Sequence, residues 1–191
     1  MSSFKLGMKT PAVFFDRDGT LMTEVNYCSD PSKVAVFPGA TEALRKLKAA
    51  GFKIIVITNQ SGIGRGYYTE EQYHEVHKEL VRQLGDELLD GTYYCPAAPE
   101  ANSPRRKPLP GMVREAEAEH EIDLSRSFFV GDKSADIECG RNSGMLGTIL
   151  VETGYGADST KSQPDFIAKD LRAAAEYILQ RASLPAPLST R

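Results

Sequence analysis

The chain has 191 residues, 41% hydrophobic and 26% charged, a composition typical of one globular domain with a sizeable core. A formal net charge of -3 argues against a basic surface that coats nucleic acid, and no apolar run approaches the length of a membrane span. The three cysteines show no paired spacing and are expected to be reduced. Residues 1–10 lack the apolar core of a signal peptide, so a cytoplasmic location is predicted.

Short apolar segments alternate with helix-like segments along the chain. In order we predict a strand at 12–15, a helix at 41–50, a strand at 52–59, a helix at 70–84, a strand at 92–95, a helix at 111–120, a strand at 127–132, a helix at 135–143, a strand at 147–151 and a helix at 171–181. This alternation predicts an α/β fold of three layers, α/β/α, with a central parallel sheet. One domain is expected over 1–182, followed by a disordered tail at 183–191 that is rich in Pro and Ser.

Polar side chains follow three of the predicted strands. In parallel sheets, ligands bind beyond the carboxyl ends of the strands, so these residues are expected to meet at one edge. They are Asp16 and Asp18, Thr58 and Asn59, and Asp132 and Lys133.

Carboxylates at two strand ends indicate a hard divalent cation, because Mg²⁺ prefers oxygen ligands and commonly bridges to phosphate. Asp16 and Asp132 are the candidate ligands, and a carboxylate beside Mg²⁺ can also attack phosphorus. Asp18 can protonate the leaving oxygen and then activate water. Thr58 and Lys107 can stabilise the phosphoryl oxygens.

Two interpretations stay open for several of these side chains. Asp136 can orient Lys107 or complete the outer shell of the metal, but an acid is also favoured at a helix N-terminus. Arg106 and Lys107 can form a solvated basic pair instead of part of a site, although the sequence around Lys107 favours function.

Four motifs in order resemble the haloacid dehalogenase superfamily of phosphatases: DRDGT at 16–20, TNQ at 58–60, RKP at 106–108 and GDKSAD at 131–136. The resemblance covers about residues 12–155 and implies a Rossmann-like sheet of strand order 5-4-1-2-3. It implies Asp16 as nucleophile, Asp18 as acid and base, and Thr58 and Lys107 as phosphate stabilisers. The implied Mg²⁺ ligands are Asp16, Asp132 and the backbone carbonyl of Asp18.

Longer matches are similar to the branch that holds heptose 1,7-bisphosphate 7-phosphatases and histidinol-phosphatase domains, which carries no large cap domain. They are TNQSGIGRGYYT, YYCP, RRKPLPGM and VGDKSAD. The branch implies Mg²⁺-dependent hydrolysis of a small sugar phosphate through an aspartyl phosphate, with D-glycero-D-manno-heptose 1,7-bisphosphate as the expected substrate. It implies nine substrate-binding residues: Glu24, Val25, Asn26, Tyr27, Asn59, Gln60, Ser61, Arg106 and Lys133.

The chain departs from that branch at the loop that usually holds a structural zinc through Cys, His, Cys and Cys. Cys95 matches the first ligand, but Ala97, Ser103 and Arg105 stand at the other three positions. Since one thiolate cannot complete a tetrahedral site, no zinc is expected.

Three other functions remain open. Histidinol phosphate would need a partner for its amine, and Glu24 alone offers one. A polynucleotide 3′-phosphatase shares part of the motifs, but the acidic net charge argues against it. A non-catalytic domain is disfavoured because both Asp16 and Asp18 are present. The expected partner is a small phosphorylated metabolite, and the oligomeric state stays open, a monomer included.

Overall fold

The computed structural model describes residues 9–155 and 162–183 of the chain. Its helices and strands are, in order, β1 (Ala12–Phe15), α1 (Ala40–Ala49), β2 (Lys53–Asn59), α2 (Ser61–Gly64), α3 (Glu70–Leu84), β3 (Gly91–Cys95), α4 (Gly111–His120), β4 (Phe128–Gly131), α5 (Ser134–Asn142), β5 (Gly147–Val151), β6 (Phe166–Ala168) and α6 (Leu171–Ser183). Single 3-10 turns lie at Pro31–Lys33, Pro99–Ala101 and Leu124–Arg126.

The strands form one parallel sheet in the order β3-β2-β1-β4-β5-β6. The predicted order 5-4-1-2-3 is therefore confirmed, and β6 extends the sheet beside β5. No strand was predicted for β6, because it has three residues, of which only Ala168 is buried. The last helix runs to Ser183, the first residue of the predicted tail, and 184–191 lie outside the described residues.

The sheet is covered on both faces, as the apolar strands predict. All four residues of β1 are buried, and they alternate between two cores. Val13 and Phe15 pack in the core with α1, α3 and α6, whereas Ala12 and Phe14 pack in the core with α4 and α5. Each fully buried Val or Phe side chain contributes about 1.5–3 kcal/mol. The predicted three-layer arrangement is confirmed.

Helix α3 begins where its sequence pattern predicts. The Thr69 hydroxyl accepts the Gln72 backbone N–H at 3.3 Å, and the Gln72 side chain accepts the Thr69 backbone N–H at 2.9 Å. This capping box satisfies two N–H groups that the first turn leaves without partners.

Two connections at the carboxyl edge of the sheet contain little regular structure. Residues 16–39 join β1 to α1 and residues 96–110 join β3 to α4, and each contains only a single 3-10 turn as helix. Within the described residues, no additional domain covers this edge. None of the described helices combines the length and apolarity needed to cross a membrane.

Candidate active site

The polar residues at the strand ends come together at one edge, as predicted. Asp16 directly follows β1, Thr58 and Asn59 end β2, and Asp132 directly follows β4. Because these strands are adjacent and parallel, their carboxyl ends share one edge of the sheet. A cavity of about 280 Å³ lies there.

Three carboxylates and one ammonium group form the buried floor of the site. Asp16, Asp132 and Asp136 each place an oxygen within 4.8 Å of the others. The Lys107 ammonium donates to Asp136 Oδ1 at 2.7 Å, to Asp16 Oδ1 at 2.9 Å and to the Ile57 carbonyl at 2.8 Å. All three N–H groups of the ammonium therefore donate to protein acceptors, and its positive charge balances part of the negative charge of the carboxylates.

The two neighbouring acids differ in their affinity for protons. Burial disfavours the Asp16 anion, but the charges of Lys107 and Lys133 outweigh it and lower the pKa of Asp16. Burial raises the pKa of Asp136 to about 6, although Lys107 acts in the opposite direction. Asp16 is thus the carboxylate that stays ionised, as a nucleophile must.

Asp132 is the acid that lacks a counter-charge in direct contact. Its Oδ2 accepts the Tyr155 backbone N–H at 3.0 Å, whereas its buried Oδ1 has no hydrogen-bond partner among the described residues. Burial, and then the charge of Asp16, raise its pKa to about 7. At Gly19, where φ is +82°, a Cβ would lie 2.4 Å from Asp132 Oδ2, so only glycine leaves room for this carboxylate.

These donors fit a hard divalent cation. An unpaired, buried carboxylate oxygen beside a second carboxylate offers the ligand chemistry that Mg²⁺ prefers. The clustered side chains are Asp16, Asp132 and Asp136, whereas the sequence predicts Asp16, Asp132 and the backbone carbonyl of Asp18. The Asp18 side chain does not belong to this cluster of described carboxylates.

Asp18 is held at the cavity wall by side-chain donors. The Arg17 guanidinium donates to Oδ2 at 2.9 Å and to Oδ1 at 3.1 Å, and the Gln60 amide donates to Oδ2 at 2.9 Å. The Asp18 side chain remains 15% exposed and lines the cavity. A proton donor or acceptor is therefore available there in one defined orientation.

Both interpretations of Asp136 hold. Its Oδ2 accepts the Lys133 backbone N–H at 3.1 Å at the start of α5, and its Oδ1 contacts Lys107. Lys107 is also fixed through its backbone, because the Asn59 amide accepts its N–H at 3.0 Å and donates to its carbonyl at 3.1 Å. Arg106 lines the cavity, and its guanidinium donates to the Ala97 carbonyl at 3.2 Å.

The predicted substrate residues surround the same cavity. A loop after β1 supplies one wall, and an ion pair of 3.0 Å joins its Glu24 to Lys133. Tyr27 in this loop has a φ of 53°, a conformation that is uncommon outside glycine. All predicted catalytic and substrate-binding residues line the cavity: Asp16, Asp18, Glu24, Val25, Asn26, Tyr27, Thr58, Asn59, Gln60, Ser61, Arg106, Lys107 and Lys133.

Five residues that line the cavity have no role predicted from the sequence: Arg17, Cys28, Tyr68, Ala135 and Tyr155. The Tyr155 ring lies 4.6 Å from the Lys133 ammonium. Because Tyr155 follows β5, the expectation that residues after parallel strands meet at one edge could have identified it. Arg17 and Tyr68 are almost fully buried, yet both line the cavity. No sequence pattern signals their contacts, because these depend on segments that meet only in the fold.

The sequence matches known phosphatases over most of its length. A family model described as polynucleotide kinase 3 phosphatase matches residues 11–181. The chain is 41% identical over 190 residues to D-glycero-D-manno-heptose-1,7-bisphosphate 7-phosphatase of Thermosynechococcus vestitus, covering 90% of this chain and 96% of that protein. It is 40% identical over 187 residues to the protein of the same name from Chlorobaculum tepidum, covering 87% and 94%.

The chain belongs to the D-glycero-D-manno-heptose-1,7-bisphosphate 7-phosphatase family of haloacid dehalogenase-like phosphatases. The crystal structure of D,D-heptose 1,7-bisphosphate phosphatase from B. bronchiseptica, complexed with magnesium and phosphate, has the same fold. It matches with a TM-score of 0.80 and 29% identity over 89% of this chain and 98% of that one. The phosphatase class and the fold predicted from the motifs are confirmed for this family member.

Proposed function

We propose that this phosphatase removes the 7-phosphate of D-glycero-D-manno-heptose 1,7-bisphosphate in a Mg²⁺-dependent reaction that leaves heptose 1-phosphate. The observation that carries the proposal is the buried Oδ1 of Asp132, which has no hydrogen-bond partner among the described residues and belongs to one acidic cluster with Asp16, a residue that lines the cavity. Two relatives of about 40% identity that bear this name support the choice of substrate. The cytoplasmic location predicted from the sequence is part of the proposal.

The reaction proceeds in two steps on the side chains of this protein. Asp16 attacks phosphorus, forming an aspartyl phosphate as the bond from phosphorus to the sugar oxygen breaks. Asp18 gives its proton to that oxygen, and the heptose 1-phosphate leaves. Asp18 then takes a proton from water, which attacks phosphorus and frees phosphate and the Asp16 carboxylate.

Positive charge and hydrogen-bond donors stabilise the phosphoryl group in both steps. Thr58 supplies a hydroxyl at the cavity wall, and Lys107 and Lys133 supply positive charge. When bound by Asp16, Asp132 and the carbonyl of Asp18, Mg²⁺ neutralises charge on the phosphoryl oxygens. Asp136 keeps Lys107 in place through their 2.7 Å contact.

The proposed sugar site lies between the loop at 24–27 and Arg106. These residues line the cavity and offer carboxylate, amide, aromatic and guanidinium groups. The cavity of about 280 Å³ lies at the small end of ligand pockets, which favours a small metabolite.

A panel of phosphate esters tests this function. Phosphate release is measured from heptose 1,7-bisphosphate, histidinol phosphate and a 3′-phosphorylated oligonucleotide, each with Mg²⁺ and with EDTA. We expect kcat/KM for heptose 1,7-bisphosphate to exceed that for the other two esters by about 10²-fold or more. The reason is that histidinol and the oligonucleotide cannot make the contacts that the sugar makes with the cavity. EDTA should stop release and added Mg²⁺ restore it. A higher kcat/KM for either other ester, or full activity in EDTA, would contradict the proposal.

Polynucleotide 3′-phosphatase activity is the second candidate. The description of the family model that matches residues 11–181 favours it. The net charge of -3 opposes it, since binding to a polyanion is mainly driven by basic side chains. The oligonucleotide arm of the panel decides between the two.

We further propose that the loop after β3 folds without zinc. Cys95 is buried at the end of β3, the Ala97 carbonyl accepts from Arg106, and Arg105 pairs with Glu115 at 2.9 Å. These contacts hold the segment where relatives of the branch use metal. Elemental analysis of the purified protein should give far less than one zinc per chain. Stoichiometric zinc that resists dialysis and stabilises the protein would contradict this.

A further inference from the structure

Gln60 has its side-chain amide fully occupied by protein partners. Its Oε1 accepts the Tyr68 hydroxyl at 2.5 Å and the Arg17 guanidinium at 3.2 Å. Its Nε2 donates to Asp18 Oδ2 at 2.9 Å and to Thr58 Oγ1 at 2.8 Å. Two donors on the oxygen determine the orientation of the amide and direct its N–H group at Asp18.

The backbone of Gln60 is occupied as well. Its N–H donates to the Cys95 carbonyl at 2.8 Å, at the edge where β2 and β3 end. All three N–H groups of Gln60 are thus used within the protein, and only 4% of the residue is exposed. The sequence-based prediction that Gln60 binds substrate therefore lacks a free donor to support it.

Close packing makes this arrangement rigid. A Cβ at Gly62 would lie 2.1 Å from Tyr68 Cε1, so glycine there allows the Tyr68 ring to approach Gln60. Burial raises the pKa of Tyr68 to about 12, which keeps its hydroxyl protonated and able to donate. Beneath the network, the Arg17 guanidinium carbon lies 5.2 Å from the centre of the Tyr73 ring.

We propose that Gln60, held by Tyr68 and Arg17, is a positioning residue that aims the Asp18 carboxyl at the leaving oxygen. The inference rests on the proposed function, in which Asp18 transfers the proton. It assigns a role to Gln60, Tyr68 and Arg17, which take no part in the proposed reaction steps. Asp18 Oδ2 accepts from both Arg17 and Gln60, whereas Oδ1 accepts from Arg17, so loss of Gln60 leaves the carboxyl group held by Arg17 alone. Loss of the Tyr68 hydroxyl removes one of the two donors that fix the Gln60 amide.

A comparison of two leaving groups distinguishes a misoriented proton donor from general damage to the site. A sugar alkoxide is a poor leaving group and needs its proton as the bond to phosphorus breaks. p-Nitrophenolate is a stable anion and departs with little help from an acid. A misaimed Asp18 should therefore slow hydrolysis of a sugar phosphate much more than hydrolysis of p-nitrophenyl phosphate.

The test compares kcat/KM for a sugar phosphate and for p-nitrophenyl phosphate in Tyr68→Phe and Gln60→Met. We expect the ratio of the two values to fall about tenfold in each variant, a fraction of the effect of a general acid. Tyr67→Phe is the matched control, because that neighbouring ring is 59% exposed and does not line the cavity. Its ratio should equal that of the parent.

A double-variant experiment completes the test. In an Asp18→Asn background no proton can be delivered, so adding Tyr68→Phe should leave the ratio unchanged. Three results would overturn the inference. They are an equal loss of kcat/KM on both esters, an unchanged ratio in Tyr68→Phe, and the same further fall of the ratio when Tyr68→Phe is added to Asp18→Asn. Should Gln60→Met not fold, Tyr68→Phe decides alone, because it removes one hydroxyl. A parent protein that hydrolyses neither ester would instead refute the proposed function.

Discussion

Asp16→Asn is expected to lower Mg²⁺-dependent phosphate release by about 10⁴-fold or more. The substitution keeps the shape of the side chain but removes the anion whose low pKa Lys107 and Lys133 maintain. An amide is a poor nucleophile toward phosphorus, and it also weakens one side of the proposed cation site. The measurement is the rate of phosphate release from p-nitrophenyl phosphate and from a sugar phosphate.

The control for this prediction is Asp86→Asn, which changes the same functional group at an exposed position after α3. It should retain the rate of the parent on both esters. Thermal unfolding of Asp16→Asn checks that the fold persists. A folded Asp16→Asn protein that keeps a tenth or more of the parental rate would refute the nucleophile assignment.

Asp132→Asn is expected to change the pH dependence of stability in the Mg²⁺-free protein. The pKa of Asp132 is about 7 in the fold, because of burial and the charge of Asp16, against 3.8 as its ordinary value. Between these values the folded state holds more protons than the unfolded state, so the contribution of Asp132 to stability falls as pH rises and is lost above about pH 7. Asparagine does not titrate, so the Asp132→Asn protein should not show this loss of stability as pH rises.

The size of the effect follows from the pKa difference. From about pH 4 to about pH 8, the free energy of unfolding of Asp132→Asn should gain on the order of 3 kcal/mol relative to the parent. His77, whose pKa burial lowers to about 4, acts in the opposite direction in both proteins and cancels in the comparison. Urea unfolding at several pH values provides the measurement.

Mg²⁺ supplies the second arm of the same experiment. At about pH 8 the ion should stabilise the parent, because it binds the folded state, and should have little effect on Asp132→Asn. Asp86→Asn should behave like the parent in both arms. A pH dependence shared by parent and Asp132→Asn, or equal stabilisation of both by Mg²⁺, would count against Asp132 as a metal ligand.

Much of this site is predictable because parallel strands end at a common edge. The apolar segments before Asp16, Thr58 and Asp132 predict three of the strands, and the topology then brings these residues together. The order of the five strands is implied by the resemblance to the haloacid dehalogenase superfamily, and the structure confirms it. Strand β6 was not predicted, because its three residues at the edge of the sheet carry too short an apolar pattern.

Other features depend on side-chain orientation, which no sequence pattern provides. The sequence leaves Asp136 open, whereas the structure places its carboxylate in the acidic cluster and against Lys107. Arg17 stands between two functional acids in the motif, yet its burial beside Gln60 and Tyr68 arises only when two distant segments pack together. Roles that rest on such contacts have to be read from the fold.

The most direct test of the central claim is to locate the phosphoryl group during turnover. The parent protein is quenched with acid while it hydrolyses a phosphate ester with Mg²⁺, and its peptides are analysed by mass spectrometry. We predict one added phosphoryl group on the peptide that contains Asp16, at that residue, and none in Asp16→Asn. Active turnover with the phosphoryl group on another residue would contradict the account.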